Sequence, residues 1–337
     1  MSHDRENLFL LYACLTSVFA EARERLFDML EEGLDEDYIV EAAIMRDAAA
    51  AVSEALADSG RNLHPLRERL RTVACAEIVR TAVMCGLYTE VSGLFSVAGL
   101  ASIPLKGCDP RLLEISRRPA NPMQDIDILV KKADVERAGA LLEKSGYRYQ
   151  GVFSGSHMTW FRLDDDGPRF IEIHWDLINR EHPIHGRLFT PSIDAVWKRA
   201  LPAGQGFLLS DADLLAHALA HAAKEYFHKP KWLVDIAVRI DSQPESGVDS
   251  AVMKEWRVDA IYHFVRYFLG RVLPCTFSKF PRPGFAGTFI AGKLTAYDTL
   301  RRYRPLIYQA ATRNTVERLR LAAGMARRAV QYIRYGE

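Results

Sequence analysis

Cysteine is scarce in this chain of 337 residues: Cys14, Cys75, Cys85, Cys108 and Cys275 are odd in number, scattered, and form no Cys-x-x-Cys pair. This argues against a disulfide framework and a zinc ribbon and points to a reducing compartment, so the expected location is cytoplasmic. Long apolar runs are lacking too. Leu8 to Ala20 is too short to span a bilayer, and Asp4 and Glu6 spoil the basic leader that a signal peptide would need, so the stretch reads as a buried helix. Net charge is almost absent, at a formal +1. What remains is ordinary globular usage, 49% hydrophobic and 26% charged, in a chain long enough for two or three domains.

Against this background the run Met123-Gln-Asp-Ile-Asp-Ile-Leu-Val130 stands out. Ile126, Ile128 and Val130 alternate with Asp125 and Asp127, so a strand sends both carboxylates to one face and the aliphatics to the other. Carboxylates whose Cα atoms lie roughly 7 Å apart on one strand face converge on a point where a divalent cation fits. Without a cation or donors, two like charges on so apolar a strand are costly, and neutralising Asp127 should then relieve repulsion. An isolated Asp-x-Asp also occurs on solvated strand ends, so the flanking segments matter.

Leu100 to Leu105 reads as a short strand running into Lys106-Gly107, followed by a helical pattern from Cys108 to Ile115. A glycine between strand and helix lets the backbone approach a ligand, and a helix N-terminus offers free N–H groups to phosphate. Downstream, Ala133 to Gly146 reads as a helix with Gly146 as its C-terminal cap. Three strands follow, at Tyr147–Phe153, His157–Leu163 and Phe170–Leu177, the last two joined by the turn Asp164–Pro168. In Phe170-Ile-Glu-Ile-His-Trp175, Glu172 and His174 share a face, so a third carboxylate is available if the strands are neighbours. The competing reading of this pair is a satisfied polar edge.

The ordered set Leu105-Lys-Gly107, Asp125-Ile-Asp-Ile-Leu-Val130, Gly146-Tyr147 and Glu172-Ile-His-Trp175 resembles the uncharacterised nucleotidyltransferase family of the DNA polymerase β superfamily. Leu214 to Lys224 and Lys231-Trp-Leu-Val-Asp-Ile236 are similar to that family's helical tail, and the likeness covers roughly residues 95 to 240. The resemblance implies an α+β fold: a polymerase-β-like mixed sheet with flanking helices. It implies that Asp125, Asp127 and Glu172 are catalytic and hold two Mg²⁺ ions, with Mn²⁺ as an alternative. It further implies that Lys106, Gly107, Cys108, Arg118 (or Arg117), His174, His221 and Lys224 bind a nucleoside triphosphate such as ATP, with Asp235 orienting His221 or Lys224. Two positions depart from the family pattern: Asn121 stands where an arginine is usual, and Cys108 where the wider superfamily has serine.

Around this core, residues 1–94 read as a helical region, 95–180 as the nucleotidyltransferase core, and 181–337 as a mainly helical region. His217 and His221 stand four apart on a helix, a spacing that also suits zinc, but the intervening residues are Ala-Leu-Ala and no third ligand accompanies them. His182, His185 and His228 sit in loop-like sequence with no assigned role. From residue 301 onward nine arginines face two glutamates, leaving the rest of the chain at about −6, and residues 314–333 form a basic amphipathic helix. Packing, an RNA backbone and an anionic membrane are all compatible with that helix.

Metal-dependent transfer of a nucleoside monophosphate to an acceptor hydroxyl is the leading expectation, with a small molecule or peptide favoured over RNA as acceptor. A nucleotide-binding regulator or antitoxin-like protein without turnover is the alternative, motivated by Asn121 and Cys108. A zinc hydrolase built on His217 and His221 is a third reading.

Overall fold

The computed structural model describes residues 3–57, 64–112, 122–164, 167–182, 184–204, 206–242 and 248–277. Five strands, β1 (Ser102–Pro104), β2 (Ile126–Val130), β3 (Arg148–Ser154), β4 (His157–Asp164) and β5 (Gly167–His174), form one sheet in the order β1-β2-β5-β4-β3. β2 and β5 run parallel and the other neighbours antiparallel. A parallel pair needs a crossover, and helix α6 (Val135–Lys144) with the β3–β4 hairpin supplies it. The α+β architecture, a mixed sheet with flanking helices and helical regions before and after it, is the one expected from the sequence.

Every residue of β2 is buried, and alternation assigns its two faces to different cores. Ile126, Ile128 and Val130 pack with Ile171 and Ile173 of β5 and with Ala138 and Leu142 of α6. Leu129 points the other way, into a larger core shared with Ile103 and Leu105. Asp127, between Ile126 and Ile128, faces this second side. α6 closes as its sequence suggests: Gly146 adopts φ +88°, and the Tyr147 N–H donates to Leu142 O at 3.0 Å. Its start is a 3-10 turn at Lys132–Asp134.

The N-terminal helices are α1 (Asp4–Leu15), α2 (Ala20–Glu31), α3 (Glu36–Met45), α4 (Ala49–Ala57) and α5 (His64–Val97). α5, with 34 residues and a length of about 50 Å, bridges the two cores. Leu66, Leu70 and Ala74 belong to the larger one, while Met84, Leu87, Val91 and Phe95 pack under the sheet. The buried helix expected at Leu8 to Ala20 is α1, but it starts earlier, at Asp4, and stops at Leu15 before α2 begins at Ala20; Phe9, Leu10 and Leu11 are fully enclosed.

After the sheet come α7 (His185–Leu188), α8 (Ile193–Arg199), a hairpin of β6 (Leu201–Ala203) and β7 (Gly206–Leu208), then α9 (Asp211–Lys224), α10 (Pro230–Ser242), α11 (Ser250–Trp256) and α12 (Asp259–Val272). The β6–β7 hairpin was not anticipated; strands of three residues are too short to carry a readable alternation. α9 is anchored at its start by Asp213, which accepts from both Arg199 Nε and Nη2 at 2.8 and 2.7 Å and from Trp256 Nε1 at 2.9 Å. Helices that precede and follow the sheet share the larger core, and Tyr12 Oη of α1 donates to Val272 O of α12 at 3.0 Å. Among the described residues no helix is long and apolar enough to cross a membrane.

The helix expected at Cys108–Ile115 differs. Lys106–Cys108 form a 3-10 turn and only Pro110–Leu112 are helical before residues 113–121, which lie outside the described residues. The arginine-rich segment beyond residue 300 also lies outside them.

Candidate active site

The parallel register of β2 and β5 sets Asp127 opposite Glu172 and Leu129 opposite His174. Asp125, one residue ahead of β2, completes a group of three carboxylates whose oxygens all lie within 4.8 Å of one another. Lys106 reaches the same point from the 3-10 turn after β1. Its backbone takes the left-handed φ of +51°, unusual for a non-glycine residue, and its Nζ donates to Asp127 Oδ1 at 2.5 Å. His174 Nε2 lies 2.9 Å from that same oxygen and 3.3 Å from Glu172 Oε2.

These contacts make the three carboxylates unequal. Burial pushes Asp127 up, but the Lys106 ammonium and the hydrogen bond from His174 outweigh it and hold Asp127 well below the usual carboxylate range. Asp125 moves the other way, raised first by the charge of Asp127 and then by burial. Glu172 is lowered, because the hydrogen bond from His174 overcomes its burial. Burial likewise opposes the charge of His174 and Lys106, yet the surrounding carboxylates win and raise both.

Opposite the carboxylates, α9 and α10 close a cleft of about 420 Å³. His217, His221 and Lys224 stand at i, i+4 and i+7 on one face of α9 and all line it, joined by Lys229, Lys231 and Trp232. Burial and then the Lys106 charge push His217 down to about 3 and His221 well below its ordinary range, so both imidazoles are neutral. The same two causes lower Lys224. The cleft thus has the three carboxylates on one side and, on the other, lysines and neutral histidines among which Glu225 and Asp235 also stand.

The short segment before β2 is tied down by residues far away in sequence. Met123 N–H donates to Thr81 Oγ1 at 3.2 Å, Arg80 Nε to Met123 O at 3.2 Å, and Lys231 Nζ to Pro122 O at 2.7 Å. Gln124 Nε2 donates to both oxygens of Asp47, at 2.6 and 2.7 Å. Asp47, in the turn between α3 and α4 with φ +53°, also accepts from Lys229 Nζ and from Arg80 Nη2. None of this network was read from the sequence.

The model of the uncharacterised nucleotidyltransferases matches residues 32–274. The chain belongs to this family. No curated protein and no solved structure matches it. The family match includes Asp47 and Arg80 as well as the carboxylates, so the network before β2 lies within it.

A divalent cation fits the donor set of this family member: three hard oxygen donors converge, and the raised Asp125 carries a like-charge strain that a cation would relieve. Of the residues singled out in the sequence, the fold gathers Asp125, Asp127, Glu172, His174 and Lys106 at one point and sets Gly107, His221 and Lys224 on the cleft. Cys108 is 1% exposed and packs in the core under the sheet instead of lining the cleft. Asn121, Arg117 and Arg118 lie outside the described residues. Asp235 lines the cleft and is raised to about 7 by burial, which the charges of Arg239 and Lys231 only partly offset. Among the described residues the metal-competent groups are Asp125, Asp127 and Glu172, and His157, Glu172 and His174; His217 and His221 belong to neither.

Proposed function

We propose that this chain transfers a nucleoside monophosphate from a nucleoside triphosphate to a hydroxyl of a small molecule or peptide and releases pyrophosphate. The observation that supports it is the opposition of charge across one cleft: the carboxylates of Asp125, Asp127 and Glu172 face Lys224, Lys229 and Lys231, in a member of a nucleotidyltransferase family. Asp125, Asp127 and Glu172 would hold two Mg²⁺ ions, for which Mn²⁺ can substitute. Bound there, such ions lower the pKa of an attacking hydroxyl and neutralise charge on the leaving phosphates.

The residues of the chain do the rest. Lys224, Lys229 and Lys231 attract the triphosphate, and the neutral His217 and His221 offer hydrogen bonds without adding charge. Lys106 sits between the carboxylates and the cleft, able to pair with Asp127 or with a phosphate oxygen. The acceptor oxygen forms the new bond to the α-phosphorus as the bond to the β-phosphate oxygen breaks. Glu172, whose side chain is 23% exposed against 2% for Asp127, is the carboxylate placed to receive the hydroxyl proton.

The test is incubation of the purified chain with each labelled nucleoside triphosphate and Mg²⁺ or Mn²⁺, alone and with cell extract. Stoichiometric pyrophosphate and a labelled acceptor, both absent with Asp127→Asn, are expected. Tight nucleotide binding without pyrophosphate release under any condition would overturn the proposal in favour of a binding protein.

A further inference from the structure

Two histidines of the same sheet stand beside the three carboxylates. β4 pairs antiparallel with β5, and the register sets His157 directly opposite His174, two residues along from the Thr159–Glu172 pair. Both imidazoles turn the same nitrogen toward one carboxylate oxygen. His157 Nε2 is 3.7 Å and His174 Nε2 3.3 Å from Glu172 Oε2, with the two rings 4.8 Å apart and tilted by 33°.

These separations have a geometric meaning. Two ligands on a tetrahedral ion with bonds of 2.0–2.1 Å are about 3.4 Å apart, and the observed values bracket that edge. Asp127 Oδ1, 2.9 Å from His174 Nε2, stands beside the trio and links it to the carboxylate centre. The ligand-bearing backbone is sheet, so the set is held by interstrand hydrogen bonds and not by a loop that must first be ordered.

We propose that His157, His174 and Glu172 form a second, nitrogen-bearing metal site, sharing Glu172 with the carboxylate centre and taking a borderline cation such as Zn²⁺ or Co²⁺ in preference to Mg²⁺. Ligand chemistry sets the preference: imidazole nitrogen suits the later divalent metals, whereas Mg²⁺ favours oxygen and retains its water. Three protein ligands with a further position open is the composition of a catalytic site and not of a closed structural one. An ion here would be bound partly by nitrogen, unlike the oxygen-bound ions of the carboxylate centre. This rests on the nucleotidyl-transfer reading only through the shared Glu172.

The experiment is a Co²⁺ titration of the metal-free full chain, followed by visible absorption in the presence of excess Mg²⁺. One equivalent should develop the strong bands of four- or five-coordinate cobalt. His157→Gln and His174→Gln should lose them, and Asp125→Asn should keep them, with folding of each variant checked by circular dichroism. X-ray absorption of the unsubstituted chain loaded with one equivalent of Zn²⁺ should show imidazole scattering, a reading that needs no variant to fold. Absence of that scattering, or cobalt bands lost in Asp125→Asn and kept in His157→Gln, would overturn the nitrogen site while leaving the carboxylate centre intact. Pyrophosphate release is measured separately, so failure of the transferase reading remains distinguishable.

Discussion

Lys106 and Asp127 form an ion pair across the strand edge, Nζ to Oδ1 at 2.5 Å, at a lysine whose backbone is left-handed and a carboxylate that is 1% exposed. The pairing reverses an inference that the bare sequence invites. From Asp125-Ile-Asp127 alone, neutralising Asp127 should relieve repulsion; in the fold it removes the nearest counter-charge of Lys106 and an acceptor for His174.

Asp127→Asn should therefore lower stability, by about 1–3 kcal/mol, the cost of leaving a largely buried charge poorly paired. It should also cost transfer three orders of magnitude or more, equivalent to about 4 kcal/mol of transition-state stabilisation. Denaturant unfolding and pyrophosphate release measure the two effects. Unchanged activity would refute the role of Asp127 in the centre.

Asp125→Asn should separate those effects. Asp125 is raised by the charge of Asp127, so losing its own charge removes repulsion without orphaning Lys106. The melting temperature should stay level or rise while transfer is lost. A drop in stability as large as that of Asp127→Asn would show that the two aspartates are equivalent, against the geometry.

Asp47→Ala should be felt well away from its own turn. It removes the acceptor of Lys229, Arg80 and the Gln124 amide together, a loss of about 3 kcal/mol by analogy with broken buried pairs. Because Gln124 adjoins Asp125, transfer should fall as well, and Asp47→Asn should recover part of both. Urea titration and initial rates of the two variants decide it; wild-type behaviour of Asp47→Ala would show the network to be dispensable.

Glu77 offers a pH test unconnected with catalysis. In α5, 2% exposed, it accepts from the Ala50 and Ala49 N–H groups at the start of α4, at 2.8 and 3.4 Å. Burial raises it from 4.5 to about 6, despite the hydrogen bond from Ala50. Between those values the folded carboxyl keeps a proton that the unfolded one has released, so stability falls as pH rises through the window, by about 2 kcal/mol in all. Glu77→Gln keeps an acceptor for α4 and should flatten this slope, as unfolding free energies below and above the window will show.

The strands and the carboxylates were legible because their signals are local. Ile126, Ile128 and Val130 against Asp125 and Asp127, and Ile171 and Ile173 against Glu172 and His174, are period-two patterns readable within a few residues. Gly146 was legible as a cap for the same reason. Asp47, Arg80, Thr81 and Lys231 were not, since their contacts with residues 122–124 span from 42 to 109 positions and leave no periodic trace. His157 was invisible as a partner of Glu172 because only the β4–β5 register brings them together. Cys108 entered through its place after Lys106-Gly107, and the 3-10 turn that carries it sends the thiol inward.

The bond between Tyr12 Oη and Val272 O joins residues 260 positions apart, and the core it closes draws on helices before and after the sheet. On a ribosome adding about 5–20 residues per second, the partners of α1 that follow the sheet emerge roughly 10–50 s after α1 itself. During that interval Phe9, Leu10 and Leu11, all fully enclosed in the finished fold, have no C-terminal helices to cover them. The newborn chain is thus obliged to keep its first helix in a provisional arrangement, or in the hands of a chaperone, until α10 and α12 arrive.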